Sequence, residues 1–327
     1  MSYGNKNCQE GNAMNLLELE LLIDRAIVED IGKGDITTSL CLTQKSIVEA
    51  QIIANEEGII AGLDIAELVF KRVNEKIKLN LTSEKPQLVE DIPPNKFGLP
   101  INRGNSSTIN FEKKIEDGKK IKKGDVVANI KGNAQDILSA ERVALNLLQH
   151  LSGIATLTSK FVVATKPYQT KIYDTRKTLP TLRAIEKYAV RMGGGNNHRF
   201  GLYDGILIKD NHIEISGGIT QAVRQVQQNL PAGMKIEVET KNLDEVKEAV
   251  SLNVDIIMLD NMSLEMMKEA VKIIRVSKKN ILIEISGGVN LENVHQIAST
   301  GVDIISIGAL THSAKALDLS LEIICRK

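Results

Sequence analysis

The stretch DIIMLDNMSLEMMKEAVKIIRVSKKNILIEISGG, residues 255–288, decides the fold class. It opens on a short apolar run and continues through SLEMMKEAVKIIRVSK, where apolar side chains recur at helical spacing. It closes on a second apolar run that stops at Ser-Gly-Gly. Two such runs flanking an amphipathic helix read as strands buried on both faces and joined by a crossover. The rhythm extends in both directions. Apolar runs begin near Lys171 (KIYDT), Asp204 (DGILIKDN), Lys235 (KIEVET), Asp255, Ile281 and Asp303 (DIISIGA), and most are separated by helical patterns such as NLDEVKEAVSLN. Repeated β-then-α units imply a parallel sheet with right-handed crossovers. About six units suit a barrel-like arrangement better than a short open sheet.

Upstream, a long helix is expected from about residue 134 to 163, with a break near Ser152-Gly153. Ahead of it the texture is mixed. Residues 16–29 and 63–73 carry helical periodicity, whereas 46–62 and KKIEDGKKIKKGDVVANIKG (113–132) read as short strands around Gly-containing turns. Four of the seven prolines (Pro86, Pro93, Pro94 and Pro100) fall between 83 and 111, a stretch read as a long surface loop.

Composition excludes several classes. The chain has 327 residues, 43% of them hydrophobic, enough for about two domains. Its 41 basic and 41 acidic residues cancel, so no global field attracts nucleic acid or an anionic membrane. Three cysteines without a CxxC pair argue against a disulfide framework or a structural zinc site. No apolar run approaches the roughly 18 residues of a membrane span, and the first fifteen residues lack the order of a signal peptide. A cytoplasmic location is the expectation.

In a β/α barrel the C-terminal ends of the strands converge on one mouth. Here those ends read Asp174-Thr175-Arg176-Lys177, Lys209-Asp210-Asn211, Glu237 and Glu239, Asp260-Asn261, Ser286-Gly287-Gly288 and Gly308. Asp, Ser and Asn at such places can simply cap the following helices. Arg176, Lys177 and Lys209 resist that reading, because cations are disfavoured at helix N-termini. The run RMGGGNNHRFGLYD (191–204) offers three glycines, open to close backbone approach or to plain flexibility, beside His198 and Arg199, whose donors suit carboxylates. Two uncompensated cations about 4 Å apart repel by roughly 4 kcal/mol at intermediate dielectric. If Arg142, Arg176, Lys177, Arg199 and Lys209 share the mouth, an anionic ligand relieves that repulsion; the alternative is separate surface ion pairs. Gly287, Gly288 and Gly308 fit a barrel phosphate site or ordinary strand-to-helix turns. Glu239 and Asp260 offer oxygen ligands for ribose hydroxyls or Mg²⁺. There is no GxxxxGK[ST] loop, no GxGxxG after a strand and no HExxH, and His150 and His295 read as structural helix residues.

The run YDTRKTLPTLRAIEKYAVRMGGGNNHRFGLYDGILIKDNH (173–212) closely resembles the central signature of quinolinate phosphoribosyltransferases. EDIGKGDITTSL (29–40), AERVALNLLQHLSGIATLT (140–158), IEVET (236–240), DIIMLDNM (255–262), EISGGVN (284–290) and GVDIISIGALTHS (301–313) match further family segments, in the family's order. The resemblance implies an N-terminal α/β sandwich domain (14–133, with 83–111 as a loop insertion) and an open, incomplete β/α barrel (134–310). A C-terminal helix (311–327) would then pack back on the first domain. It also implies a homodimer or larger homo-oligomer that joins quinolinate to phosphoribosyl pyrophosphate with Mg²⁺, giving nicotinate mononucleotide, pyrophosphate and CO₂.

On the matching positions, Arg176, His198, Arg199 and Lys209 would hold the two quinolinate carboxylates, with Thr175 nearby. Arg142 would reach in from the neighbouring subunit. Lys177 would contact the phosphates, and Glu239 and Asp260 would serve the ribose and metal. Ser286, Gly287, Gly288, Gly308 and His312 would line the 5′-phosphate site. Arg142, Lys177, Lys209, Glu239 and Asp260 form the expected catalytic set. The rival readings are a related transferase acting on another base and a barrel that only binds a sugar phosphate.

Overall fold

The computed structural model describes residues 16–42, 46–80 and 109–326. Most of the 83–111 stretch and the first fifteen residues therefore lie outside the described residues. The chain divides into two compact units, one formed by Asn15–Ser152 with Ala316–Lys327 and the other containing Gly153–Lys315.

The first unit opens with α1 (Leu16–Ile31). It buries Ile23 and Ile27, one turn apart. A short α2 (Ile36–Cys41) follows, capped by Asp35, whose carboxylate accepts from the Thr38 N–H at 2.9 Å and the Thr38 hydroxyl at 2.5 Å. Strand β1 (Ile47–Ala54) buries every second side chain, Val48, Ala50, Ile52 and Ala54, the period-two pattern of a sheet with one face in the core. After β2 (Gly58–Ile59), α3 (Leu63–Asn80) packs against α1, where Arg72 grips Asp24 through two nitrogens at 3.0 and 2.5 Å. Strands β3 (Asn110–Lys113), β4 (Lys120–Ile121) and β5 (Val126–Asn133) complete the run. The loop expected to reach residue 111 thus ends earlier. Asn110 and Phe111 lie in β3, where Phe111 sets its ring 5.8 Å from Phe70 of α3.

Helix α4 (Ala134–Ala164) is continuous, without the break expected at Ser152-Gly153. The Ser152 hydroxyl does not interrupt the helix; it accepts the Ala61 N–H at 3.0 Å. The boundary between the units falls at that point in α4.

The second unit repeats strand and helix: β6 (Lys171–Tyr173), α5 (Arg183–Met192), β7 (Ile206–Ile208), α6 (Asp210–Ser216), α7 (Ile219–Gln228), β8 (Ile236–Thr240), α8 (Leu243–Ser251), β9 (Ile256–Asp260), α9 (Leu264–Val276), β10 (Leu282–Ser286), α10 (Val294–Ala298), β11 (Ile304–Ser306) and α11 (Ala309–His312). All six expected strands are present. They form one parallel sheet in the order β6-β11-β10-β9-β8-β7, which leaves β6 and β7 as its two ends, so the barrel is open.

The C-terminal segment corrects an expectation. Among the described residues the expected helix over 311–327 does not extend beyond His312. After the single turn of α11 the chain extends as β12 (Leu319–Arg326) and pairs antiparallel with β1, giving the first unit a sheet ordered β12-β1-β5-β3. The sequence LSLEIICR alternates apolar and polar residues at its start and then places two adjacent β-branched isoleucines, a pattern that suits an edge strand better than a helix. Among the described residues no helix is long and apolar enough to cross a membrane.

The cap of α2 supplies a test. Hydrogen bonds from Thr38 lower the Asp35 pKa against the opposing effect of burial. A lowered carboxyl stabilises the fold above its unfolded pKa and loses that effect as pH falls through the folded one. Asp35→Ala should therefore cost about 1 kcal/mol at neutral pH in denaturant titrations. The gap to wild type should close as pH drops below the ordinary Asp value of 3.8.

Candidate active site

Of the strand ends, Lys209 and Gly308 stand at the N-caps of α6 and α11, neither with a side-chain acceptor for the helix N–H groups. Asn242 caps α8, accepting from the Asp244 and Glu245 N–H groups at 3.1 and 2.9 Å, and Ser263 caps α9. Both lie beyond the strands, which leaves Glu239, Asp260 and Ser286 unused for capping. Register places them together. Asp260 pairs with Ser286 and Ser286 with Ser306 across β9, β10 and β11, while Glu239 pairs with Met258 one step deeper.

The Lys209 ammonium lies 3.4 Å from a Glu239 oxygen. Burial raises the Glu239 carboxyl above its ordinary value, Lys209 pulls it back, and Asp260 and Asp210 push it up again. Asp260 accepts from the Asn261 side-chain amide at 2.9 Å. Asn261 holds the left-handed conformation, φ 51°, which costs a non-glycine residue energy and is typical of functional turns. Its side chain lies against the Cα of Gly287, where φ is 89° and a Cβ would stand 2.2 Å from Asn261 Oδ1. Gly287, Gly288, Asn261, Met262 and Asn293 line a cavity of about 180 Å³. On the neighbouring strand end, Gly308 adjoins the Lys177 stem and His312: a Cβ there would be 2.9 Å from Lys177 Cδ and 3.2 Å from His312 Nε2. The Lys177 carbonyl accepts from the Thr311 hydroxyl at 2.8 Å, and the Lys177 N–H donates to Thr175 Oγ1 at 3.0 Å.

The glycine-rich loop is locked to the sheet. Asn196 forms a bridge with Tyr173 on the edge of β6, and its N–H donates to the Ile172 carbonyl at 2.8 Å. Asp174, fully buried, is the hub. One oxygen accepts from Lys187 Nζ at 2.5 Å and from the His198 N–H at 2.8 Å; the other accepts from the Asn197 side chain at 2.6 Å. Burial raises the Asp174 pKa while Lys187 opposes it, and burial lowers that of Lys187 while Asp174 opposes it. Each charge therefore depends on the other to remain ionised. Gly193 must lack a side chain, since a Cβ would stand 2.4 Å from the Ala155 carbonyl oxygen.

Beyond the loop, Arg199 donates to the Gly205 carbonyl at 2.9 Å and is partly exposed. Arg176 has its carbonyl held by Arg183, and its Nε is buried with no hydrogen-bond partner among the described residues.

His198 departs from its expected part as a donor to the ligand. Its Nε2 faces inward, 3.3 Å from Glu237 Oε2 and 3.4 Å from Glu284 Oε1, and its Nδ1 accepts the Arg199 N–H at 2.9 Å. Burial opposes charge on the ring, but Glu284 and Glu237 outweigh it and push its pKa up to about 10. A proton on Nδ1 would meet the Arg199 N–H head-on, so a charged ring and this backbone bond exclude each other. The bond therefore requires the ring proton on Nε2 alone, the nitrogen that faces both carboxylates.

Arg142 belongs to the other unit, on α4, with an exposed side chain 3.9 Å from Glu141. The sequence reading gave no role to Asp174, Lys187, Asn261, Glu237 or Glu284. The last two carried one signal, a carboxylate inside an otherwise apolar buried strand.

Fold and site together define an open β/α-barrel protein whose mouth is built to take anions. Two family models match the chain, the N-terminal domain of quinolinate phosphoribosyl transferase over residues 98–152 and its C-terminal domain over residues 154–322. The first match begins inside the stretch read as an insertion. The chain is 43% identical over 299 residues to a Synechocystis protein named probable nicotinate-nucleotide pyrophosphorylase (carboxylating), covering 91% of this chain and 90% of that one. A Bacillus subtilis protein of the same name is 41% identical over 310 residues, 95% of each. The solved nicotinate-nucleotide pyrophosphorylase from Francisella tularensis superposes with a TM-score of 0.81 and 37% identity, covering 96% of this chain and 98% of that one. The chain belongs to the quinolinate phosphoribosyltransferase family.

Gly287→Ala should lower stability by about 1–2 kcal/mol, the cost of a side chain in the left-handed region. It should also displace Asn261 and shrink the adjoining cavity, measurable as a lower melting temperature and weaker phosphate-ester binding.

Proposed function

We propose that the protein transfers the phosphoribosyl group of phosphoribosyl pyrophosphate to quinolinate with decarboxylation, forming nicotinate mononucleotide, pyrophosphate and CO₂. The observation that carries this reading is the buried, unpartnered Nε of Arg176, at the strand end next to the loop that carries Arg199. A buried donor left unmade costs about 1–3 kcal/mol, and a carboxylate restores the bond. Quinolinate has two carboxylates, and Arg176, Arg199 and Lys209 supply the cations for them, with Thr175 alongside. His198 supports the set from beneath.

Gly287, Gly288, Ser286, Gly308 and His312 take the 5′-phosphate, and Lys177 meets the pyrophosphate end. The buried Glu239, whose carboxyl is raised by burial and then by Asp260, and Asp260 itself are hard oxygen donors and fit Mg²⁺ or the ribose hydroxyls. When bound, Mg²⁺ supplies neutralisation of the leaving pyrophosphate. The chain's own groups do the rest. Departure of pyrophosphate leaves positive charge at the ribose C1, which the fixed Glu239 and Asp260 carboxylates stabilise. The pyridine nitrogen, aimed by its clamped carboxylates, then captures C1. As CO₂ departs, the adjacent pyridinium nitrogen stabilises the electron pair left at C2, which then takes a proton from water. The reading extends to a cytoplasmic homo-oligomer in which Arg142 completes the site of a neighbouring copy.

The test is formation of nicotinate mononucleotide from both substrates with Mg²⁺. Wild type should form it only when all three are present, and Arg199→Ala should raise the KM for quinolinate about tenfold or more, the loss of a charge-assisted bond. Activity with another pyridine base but not quinolinate would move the assignment to a related transferase.

A further inference from the structure

Beneath the mouth lies a second polar layer that the reaction as derived does not use. Glu237 sits two residues before Glu239 on β8, and Glu284 two residues before Ser286 on β10, so each faces the same interior one step deeper. The Glu237 and Glu284 side chains are 3% and 0% exposed, and the His198 side chain 6%. One carboxylate oxygen of each and His198 Nε2 lie within 4.8 Å of one another. Both Glu284 oxygens are buried and have no hydrogen-bond partner among the described residues. Glu284 also raises the pKa of the buried Tyr173 to about 12, after burial itself.

Such a layer is poor material for stability. Burying two carboxylates costs several kcal/mol each, and well-packed apolar residues would hold the barrel as firmly. What the pair does instead is fix a ring. His198 Nε2 is equidistant, within 0.1 Å, between the two carboxylates, and its other nitrogen holds the Arg199 backbone at 2.9 Å. The chain of contacts runs from β8 and β10 through the imidazole to the residue whose guanidinium meets the ligand.

We propose that Glu237 and Glu284 are positioning residues of the anion site: acting through His198 they fix the Arg199 backbone, so that the guanidinium meets the pyridine carboxylate already oriented. This rests on the reading of the mouth as the quinolinate site. Orientation of this kind acts on the clamped carboxylate and leaves the phosphoribosyl side alone. A misplacement of about 1 Å can cost a hundredfold in rate.

The test uses the full-length protein with Glu237→Gln and Glu284→Gln, which keep shape and remove the acceptor charge. Each should raise the KM for quinolinate at least tenfold, with the KM for phosphoribosyl pyrophosphate and the melting temperature nearly unchanged. A space-filling role would not produce that split. Ring nitrogen NMR of ¹⁵N-histidine-labelled protein, with His198 assigned by His198→Gln, gives a readout independent of turnover, read on variants whose melting temperature is that of wild type. Wild type should show a single Nε2–H tautomer, and both variants a tautomer mixture. If wild type shows no turnover but the tautomer is as expected, the substrate assignment falls and the positioning role stands. Unchanged quinolinate KM in both variants would overturn the role. So would a doubly protonated ring in wild type, or a ring bound to a co-purified divalent metal.

Discussion

The Asp174 carboxylate is the constraint on which the site depends. It ends β6, is fully buried, and gathers Lys187 from α5 together with the His198 N–H and the Asn197 side chain from the glycine-rich loop. A buried carboxylate persists only when paired and hydrogen-bonded, and losing one partner of such a pair costs about 3–5 kcal/mol. A 193–199 loop that left the sheet would take two donors from this buried carboxylate and the His198 carbonyl from the Lys187 ammonium. The three glycines, which would otherwise make the segment loose, instead permit the close approach that lets Asp174 hold it; Gly193 meets the Ala155 carbonyl with no room for a Cβ. Strain and charge burial in one place are thereby converted into a fixed position for Arg199.

Around this anchor the mouth is graded in charge. Arg176, Lys177, Arg199 and Lys209 bring cations from the first two strand ends, while Glu239 and Asp260 bring carboxylates from β8 and β9. The two sets meet at the 3.4 Å pair of Lys209 and Glu239. The Asn261–Gly287 contact ties the ends of β9 and β10 together, with Asn261 strained in the left-handed region and Gly287 free of a clashing Cβ. Net neutrality over the whole chain thus conceals a local separation of charge among these strand ends.

Much of this was legible in the sequence for physical reasons. Strands buried on both faces must be apolar throughout, so runs such as IIML and LIEI stand out, and the helices between them keep their period. The strand ends announced themselves because Arg176 and Lys209 carry no side-chain acceptor for a cap; Lys209 nevertheless stands at the N-cap of α6, while α8 and α9 are capped further along by Asn242 and Ser263. Residues 311–327 misled because pairing with β1 is a non-local contact to a strand more than two hundred residues earlier, which no local period reveals. His198 misled differently. Residue type and neighbourhood suggested a ligand donor, but only three dimensions bring Glu237 and Glu284 to its Nε2. Asp174 was read only as one of the polar strand ends, and its pairing with Lys187 was missed because a charge thirteen residues from its partner carries no local pattern.

Amide hydrogen exchange of Lys187→Met against wild type tests the anchoring most directly, because it reads local opening apart from global unfolding. Removal of the ammonium should speed exchange at the Asn196, His198 and Arg199 amides by orders of magnitude, while the amides of β8, β9 and β10 stay protected. Equal protection of the loop in both proteins would contradict the claim that the buried Asp174–Lys187 pair holds Arg199 in place.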